Sequence, residues 1–211
     1  MKSRTLLSIA LLAGMPFMYL IYVQAYKYNL PVDKNIWKFV ESVRSPELTK
    51  FFSTITHLGD AWLFVIIMIA LVIAIIKFKR NVAFAAWLGT SALLGAWLMN
   101  KFMKEYFVRP RPFVAGYIEN LVSASGYSFP SGHSMGSIIC YILIAYVIKI
   151  YVKNRFLSTL VFVVLIILSV VIAISRVYLG VHYPTDIIAG LSFGLCIVCI
   201  FILLRRGIVR V

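Results

Sequence analysis

Charged side chains are scarce in this sequence. They make up 13% of its 211 residues, whereas 62% are hydrophobic. A soluble domain usually carries about 25% charged and about 45–50% apolar residues. Acids are rarer still, with 7 Asp and Glu against 21 Lys and Arg. The basic residues stand at the ends of apolar segments rather than along one face, which argues against a nucleic-acid partner. The composition predicts an integral membrane protein without a separate soluble domain.

Cysteine is scarce as well. Cys140, Cys196 and Cys199 all lie within apolar runs, and the Cys-x-x-Cys pair lacks the strand–helix context of a redox motif. We therefore expect these side chains to pack inside the bundle or face lipid, and no disulfide to form.

Apolar runs long enough to span a bilayer recur along the whole chain. They predict an all-α polytopic membrane protein, one membrane-embedded domain over 1–211. Its spans lie at about 5–23, 60–77, 82–104, 132–150, 157–175 and 185–204. The first run follows a basic start and precedes a Val23-Gln24-Ala25 that could serve as a cleavage site. It is long for a signal peptide, so we expect an uncleaved first span.

The charge distribution predicts the orientation. Alternate short segments carry basic residues and no acid, namely Lys2, Arg4, Lys77, Lys79, Arg80, Lys149, Lys153, Arg155, Arg205, Arg206 and Arg210. All 7 acids and all 3 histidines fall on the opposite side. By the positive-inside rule, both termini are cytoplasmic and the histidines face outward from the membrane.

The segment after the first span, about 25–58, predicts two short amphipathic helices at the membrane interface. Helical spacing relates Ile36, Phe39, Val40 and Val43, and again Leu48, Phe51, Phe52 and Ile55. Ser45-Pro46 is typical of a helix start. The pair could simply pack on the bundle, or form a shelf for lipid headgroups; the two interpretations are compatible.

Three polar clusters lie next to outward helix ends: Lys104–Pro112, Phe129–Ser134 and Ser175–Asp186. Their cations, Lys104, Arg111 and Arg176, suit phosphate oxygens. Ser131 and Gly132 lead into the fourth span, where free backbone N–H groups and the helix dipole attract an anion. Together the clusters predict a phosphate site.

Two histidines could supply the chemistry. Asp186, four residues after His182, could accept from one ring nitrogen and leave the other free to attack phosphorus. His133 could protonate the leaving oxygen and then activate water. Two histidines with few carboxylates suit magnesium poorly, so we expect no metal and no cofactor.

The clusters contain Lys-x6-Arg-Pro (Lys104 to Pro112), Pro-Ser-Gly-His (Pro130 to His133) and Ser-Arg-x5-His-x3-Asp (Ser175 to Asp186). In this order they resemble the three motifs of the type 2 phosphatidic acid phosphatase superfamily, with no departure. The resemblance covers about the last half of the chain. It implies His133 as general acid/base, His182 as nucleophile and Asp186 as the residue that orients His182. It also implies phosphate binding by Lys104, Arg111, Ser131, Gly132 and Arg176.

Other polar residues receive weaker assignments. Lys101 and Arg109 are expected to anchor the helix end at the interface. His57 is interpreted as structural or headgroup-facing. Glu105, Tyr127 and Tyr178 could line the site.

The six-span layout also resembles bacterial lipid phosphatases of this superfamily, which implies a location in a bacterial plasma membrane. The expected function is hydrolysis of a lipid phosphate at the outer membrane face, first of all undecaprenyl pyrophosphate. Phosphatidylglycerophosphate and phosphatidic acid are the alternatives. A transporter would carry ionisable residues at mid-membrane, and the spans have almost none. A catalytically inactive lipid-binding protein would lack His182 or His133. The superfamily that the chain resembles also includes soluble acid phosphatases and haloperoxidases. The six predicted spans argue against either of these soluble classes.

Overall fold

The computed structural model describes residues 3–26 and 30–208. Within them the helices are α1 (Ser3–Ala25), α2 (Pro31–Ser42), α3 (Pro46–Ile55), α4 (Ala61–Ala74), α5 (Val82–Ala92), α6 (Met99–Phe107), α7 (Gly132–Tyr151), α8 (Arg155–Tyr178) and α9 (Pro184–Ile208). A π-helical segment, Ile75–Lys79, extends α4, and a second one, Leu93–Leu98, joins α5 to α6.

Six of the described segments are long and apolar enough to cross a membrane: Ser3–Ala25, Ala61–Lys79, Val82–Phe107, Gly132–Tyr151, Arg155–Tyr178 and Pro184–Gly207. The predicted all-α fold with six spans is confirmed, and each end lies within about three residues of its expected position. Lys2 and Arg210, which contribute to the charge pattern, lie outside the described residues.

The fourth span, α7, is the central helix of the bundle. In its most apolar window 67% of the residues are buried, against 17% to 33% in the other five spans. Its fully buried Met135, Ile139 and Leu143 belong to a core that also includes Val198 of α9. The helix that begins with the Ser-Gly-His sequence is therefore held by neighbours on most sides, which fixes its start in space.

Glycines let α9 approach α7 closely. A Cβ added at Gly190 would lie 2.8 Å from the carbonyl oxygen of Ser131, and one at Gly194 would lie 2.4 Å from Ile138 Cγ2. Small residues at such positions allow helix backbones to pack tightly. This contact brings the first turn of α9 against the first turn of α7.

Both short helices after the first span are present as predicted. Pro31 and Pro46 each stand in the first turn of a helix, and the Ser45 hydroxyl caps α3 by accepting from Leu48 N at 3.2 Å. No residue of α3 is fully buried, as expected for a helix that lies on the outside of the bundle.

The buried face of α2 differs from the predicted one. Phe39 is 64% exposed, whereas Asp33, Trp37 and Val40 are buried. Trp37 and Val40 pack with Tyr183 and its neighbours. The most apolar face of α2 therefore does not point straight into the bundle. The helix is rotated so that the carboxylate of Asp33 reaches the buried hydrogen-bond donors of Arg109 and Thr185.

Candidate active site

The three polar clusters meet at one end of the bundle, where backbone hydrogen bonds connect them. Ser128 N, one residue before the second cluster, donates to Arg109 O in the first cluster at 2.9 Å. Ser131 N donates to Asp186 O at 3.1 Å, which joins the second to the third. These bonds satisfy backbone groups in buried loops and fix the relative positions of the side chains.

His182 lies at the bottom of this arrangement, with 2% of its side chain exposed. Its Nδ1 is 3.3 Å from Asp186 Oδ2 and 3.3 Å from Ser128 Oγ, and its Nε2 is 3.4 Å from Arg111 Nη1. With Nδ1–H directed at the carboxylate, Nε2 carries the lone pair. Burial, aided by repulsion from Lys104 and Arg111, holds the pKa of His182 well below 6.5 despite its bond to Asp186. The ring is therefore neutral at neutral pH.

Asp186 is fully buried and surrounded by donors. It accepts from Ser128 Oγ at 2.5 Å, from Tyr183 N at 3.0 Å and from Arg109 Nη1 at 2.5 Å. A buried carboxylate needs such pairing to remain charged. Its orientation toward His182 is thus determined by three neighbours.

Arg109 does not anchor a helix end at the interface, and that expectation was wrong. Its side chain is only 10% exposed and bridges Asp186 to Asp33, with Nη2 3.0 Å from Asp33 Oδ2. The guanidinium also lies 3.6 Å from the ring centre of Tyr183. Burial opposes its charge, but the two carboxylates outweigh burial and raise the pKa of Arg109. Two buried anions attract this arginine more strongly than the headgroup region would.

Asp33 connects helix α2 to the same network. Its carboxylate accepts from Thr185 N at 3.0 Å and from Thr185 Oγ1 at 2.9 Å, besides Arg109. Burial is the largest influence on Asp33 and raises the pKa of the carboxyl, although these donors counteract it. Helix α2 is therefore tied to the first turn of α9, one residue from Asp186.

The predicted cations converge on this end of the bundle. Lys104 is close enough to Arg111 and Arg176 for electrostatic repulsion. Lys104 Nζ donates to Tyr127 O at 2.6 Å, and Arg111 donates to the carbonyls of Gly126, Ser125 and Val181. Like charges held this close favour an anion between them.

The guanidinium of Arg176 has fewer hydrogen-bond partners than that of Arg111. Its Nη1 donates to Thr56 Oγ1 at 2.7 Å, while its Nε is one of the buried donors without a hydrogen-bond partner among the described residues. A buried unpaired N–H is costly, and it is a group that a phosphate oxygen could satisfy.

Ser131 and Gly132 stand at the start of α7, as predicted. Ser131 is the N-cap, and its hydroxyl accepts from Ser134 N at 3.4 Å and Ser134 Oγ at 3.0 Å. A Cβ on Gly132 would lie 3.1 Å from Asn100 Oδ1. Asn100, buried in α6, also donates to Pro130 O at 3.2 Å. The third span thus positions the loop that precedes α7.

His133 occupies the more open side of the site, with 23% of its side chain exposed. Its Nε2 lies 3.1 Å from Asp60 Oδ1, and its ring is near enough to Arg176 and Lys104 to feel their charge. His133 and His182 thus share the same basic surroundings.

A family profile described as the PAP2 superfamily matches residues 61–210, which is more than half of the chain. The chain belongs to the PAP2 superfamily. Its predicted resemblance is confirmed, and this PAP2 member is a multi-pass membrane lipid phosphatase.

Curated relatives within the superfamily are bacterial lipid phosphatases. Phosphatidylglycerophosphatase B of Bacillus subtilis is 38% identical over 77% of this chain and 78% of its own length. An undecaprenyl-diphosphatase of the same organism is 27% identical over 58% of this chain and 57% of its own. The crystal structure of a transmembrane PAP2-type phosphatidylglycerolphosphate phosphatase from Bacillus subtilis superposes with a TM-score of 0.81. It is 28% identical and covers 94% of this chain and 98% of that one.

An apolar groove of about 660 Å³ runs from the site along the bundle of this PAP2 protein. It lies between the second, third and fourth spans. Its lining includes Phe64, Met68, Ile69, Ala92, Ala96 and Gly136, and at the site end Asn100, Gly132 and His133. The polar site is therefore continuous with a hydrocarbon-compatible surface.

The remaining sequence candidates lie at the edge of the site or away from it. Lys101 and Glu105 face outward, 3.9 Å from one another. Tyr127 contributes its carbonyl to Lys104. The Tyr178 hydroxyl bonds to α3, at Ser45 N and Thr49 Oγ1, so it secures that helix instead.

Sequence reasoning missed Asp33, Asp60, Ser128 and the role of Arg109. Arg109 carried a usable signal, since it is two residues from Arg111 within Arg-Pro-Arg-Pro. Ser128 lies just outside the Pro-Ser-Gly-His motif, so proximity could have suggested it. Asp33 gave no such signal, because its partners Arg109 and Thr185 lie 76 and 152 residues away in sequence.

Proposed function

We propose that this chain hydrolyses phosphatidylglycerophosphate to phosphatidylglycerol and inorganic phosphate. The observation that carries the substrate is its 38% identity with phosphatidylglycerophosphatase B over 77% of the chain. The sequence alone favoured undecaprenyl pyrophosphate, but relatives named for that substrate match shorter parts of the chain. One is 27% identical over 58% of it, and another is 38% identical over 44%.

The apolar groove supports a lipid substrate. It reaches His133 and Gly132 at one end and is lined further down by side chains such as Phe64 and Met68. An acyl chain in this groove would keep its contact with hydrocarbon while the phosphate enters the polar site.

The cationic cluster binds the phosphate in this proposal. Lys104, Arg111 and Arg176 neutralise its oxygens, and Ser131 and Gly132 offer the start of α7. Support comes from the mutual closeness of the three cations and from the unpaired Nε of Arg176.

In the first chemical step, the Nε2 lone pair of His182 attacks phosphorus. A nitrogen–phosphorus bond forms as the bond between phosphorus and the lipid oxygen breaks. His133 gives its proton to that leaving oxygen. Asp186 keeps the His182 ring oriented through Nδ1 and stabilises the positive charge that develops on it. The cations stabilise the transferring phosphoryl group.

In the second step, water replaces His182. The now neutral His133 takes a proton from water while its oxygen attacks phosphorus, and the nitrogen–phosphorus bond breaks. Phosphate leaves, and both histidines return to their starting protonation states.

We propose that neither step needs a metal. Among residues 3–26 and 30–208, no three His, Cys, Asp or Glu side chains are grouped to hold one. Activity of purified protein should survive EDTA; loss with EDTA and recovery with magnesium would contradict this mechanism.

The deciding experiment compares kcat/KM for phosphate release from phosphatidylglycerophosphate, undecaprenyl pyrophosphate and phosphatidic acid in matched detergent micelles. We expect phosphatidylglycerophosphate to be preferred. A preference for undecaprenyl pyrophosphate would restore the function that the sequence favoured, and equal values would indicate a broad lipid phosphatase.

We propose an outward-facing site in a bacterial plasma membrane, with both termini cytoplasmic. The basic, acid-free segments on one side support this orientation. In a cysteine-free background on intact cells, an impermeant maleimide should label Glu105→Cys but not Lys79→Cys. The reverse labelling would overturn the orientation.

A further inference from the structure

We propose that Asp60 is a positioning residue for His133, so that the site contains two His–carboxylate pairs rather than one. The inference rests on the proposed function, in which His133 transfers protons. Asp60 lies outside the three polar clusters, directly before residue 61, where the superfamily match begins.

Both oxygens of the Asp60 carboxylate are engaged. Oδ1 is 3.1 Å from His133 Nε2, and Oδ2 is 2.9 Å from His57 Nδ1 and 3.1 Å from Trp62 Nε1. The bonds to Oδ2 hold the carboxylate from behind and leave Oδ1 directed at His133. This is the same kind of support that Arg109 and Ser128 give to Asp186.

The Asp60 side chain does not cap helix α4, although Asp60 stands at its N-cap position. It is the N-cap of α4, with an extended backbone, yet its side chain caps none of the helix N–H groups. Aspartate is favoured at N-caps because its oxygen accepts from those N–H groups. Here the carboxylate is directed to His133 instead, and a broken local preference of this kind is typical of functional sites.

The other side of the His133 ring is limited by Gly59. A Cβ added there would lie 3.0 Å from His133 Cδ2 and 2.6 Å from Ile172 Cγ2. The backbone of the 3₁₀ turn Thr56–Gly59 thus packs directly beside the ring. The turn and Asp60 together define both the location and the rotation of the imidazole.

This arrangement determines which nitrogen moves protons. With Nε2–H donated to Asp60, Nδ1 is the nitrogen left to give a proton to the lipid oxygen and to take one from water. Asp60 is also the carboxylate in contact with the His133 ring, beside the cations Arg176 and Lys104. Partial burial tends to raise the pKa of Asp60, but bonds from His57, His133 and Trp62 outweigh it, and the net shift is downward.

The test is Asp60→Asn, which keeps the shape of the side chain but removes its charge. We expect kcat to fall about 10- to 100-fold, the range typical of a group that orients a reactive histidine. KM should change by less than about threefold, since no substrate contact is lost. The pH limb of kcat that belongs to His133 should move to lower pH, because loss of the anion makes the imidazolium less stable.

Three comparisons distinguish positioning from general damage. Asp60→Glu, which restores the carboxylate, should recover part of kcat relative to Asp60→Asn. In a His133→Asn background, Asp60→Asn should cost little further activity, because coupled residues are not additive. Glu105→Gln removes an exposed carboxylate near the same end of the bundle and should leave kcat unchanged.

The inference is overturned if Asp60→Asn keeps wild-type kcat and pH dependence, if Asn and Glu behave alike, or if the losses are additive with His133→Asn. Each result requires a wild-type protein that releases phosphate from a lipid. A wild-type protein without such activity would instead refute the proposed function.

Discussion

The two histidines of the site lie in contrasting environments. The His182 side is dry, with 2% of the His182 side chain and 0% of the Asp186 side chain exposed. The His133 side is open, with 23% of His133, 21% of Asp60 and 69% of His57 exposed. A nucleophile gains from a fixed, water-excluded setting, whereas a proton donor must exchange protons with solvent. The proposed roles therefore fit the exposure of each residue.

The largest expected effect is that of His182→Ala. We expect kcat to fall at least about 10⁴-fold, because removing a nucleophile removes the covalent route altogether. Phosphate release by folded, monodisperse protein measures this. Added imidazole should restore little activity, since only 2% of the His182 side chain is exposed. Substantial activity without His182 would end its assignment as nucleophile.

A smaller loss is expected for His133→Ala, about 10²- to 10⁴-fold, the usual contribution of general acid–base catalysis. Here imidazole added to the assay should restore part of the rate, because this side is open to water. Rescue of His182→Ala but not of His133→Ala would reverse the contrast between the two sides.

Next, the dry side should depend on Arg109 for stability. Arg109→Met leaves the buried Asp33 and Asp186 without their shared cation, a change that costs about 3–5 kcal/mol at buried pairs. In detergent, Tm should fall by ~10 °C. Lys101→Met, which removes an exposed cation from the same helix end, should leave Tm nearly unchanged. Equal effects would indicate that Arg109 is an interfacial anchor after all.

The smallest expected effect concerns the pH dependence of kcat/KM. An ordinary histidine nucleophile would cause an acid limb near pH 6.5, and we expect His182 to cause none there. Since the pKa of His182 lies well below 6.5, its Nε2 stays unprotonated as pH falls from neutral through 6.5. Loss of kcat/KM through protonation of His182 should begin only at lower pH. An acid limb centred at 6.5 that vanishes in Asp186→Asn would contradict a buried, neutral nucleophile.

The spans and the three clusters could be predicted because each is a local feature of the sequence. About twenty apolar residues define a span wherever it packs, and Ser131 to His133 are adjacent in the chain. The supporting carboxylates could not be predicted in this way. Asp33 resembles an ordinary first-turn acid of an amphipathic helix, and Asp60 resembles an ordinary N-cap. Asp33 and Asp60 gain their partners only through packing: α2 packs against α8 and α9, and the Thr56–Gly59 turn packs against α7 and α8.

The groove beside His133 also has a kinetic consequence. If the lipid slides sideways from the bilayer into the groove, the enzyme never extracts it into water, and the encounter takes place in two dimensions. The rate should then follow the mole fraction of substrate within the membrane rather than its bulk concentration. Dilution with an inert lipid at constant total substrate should slow turnover, whereas dilution of whole vesicles with buffer should not.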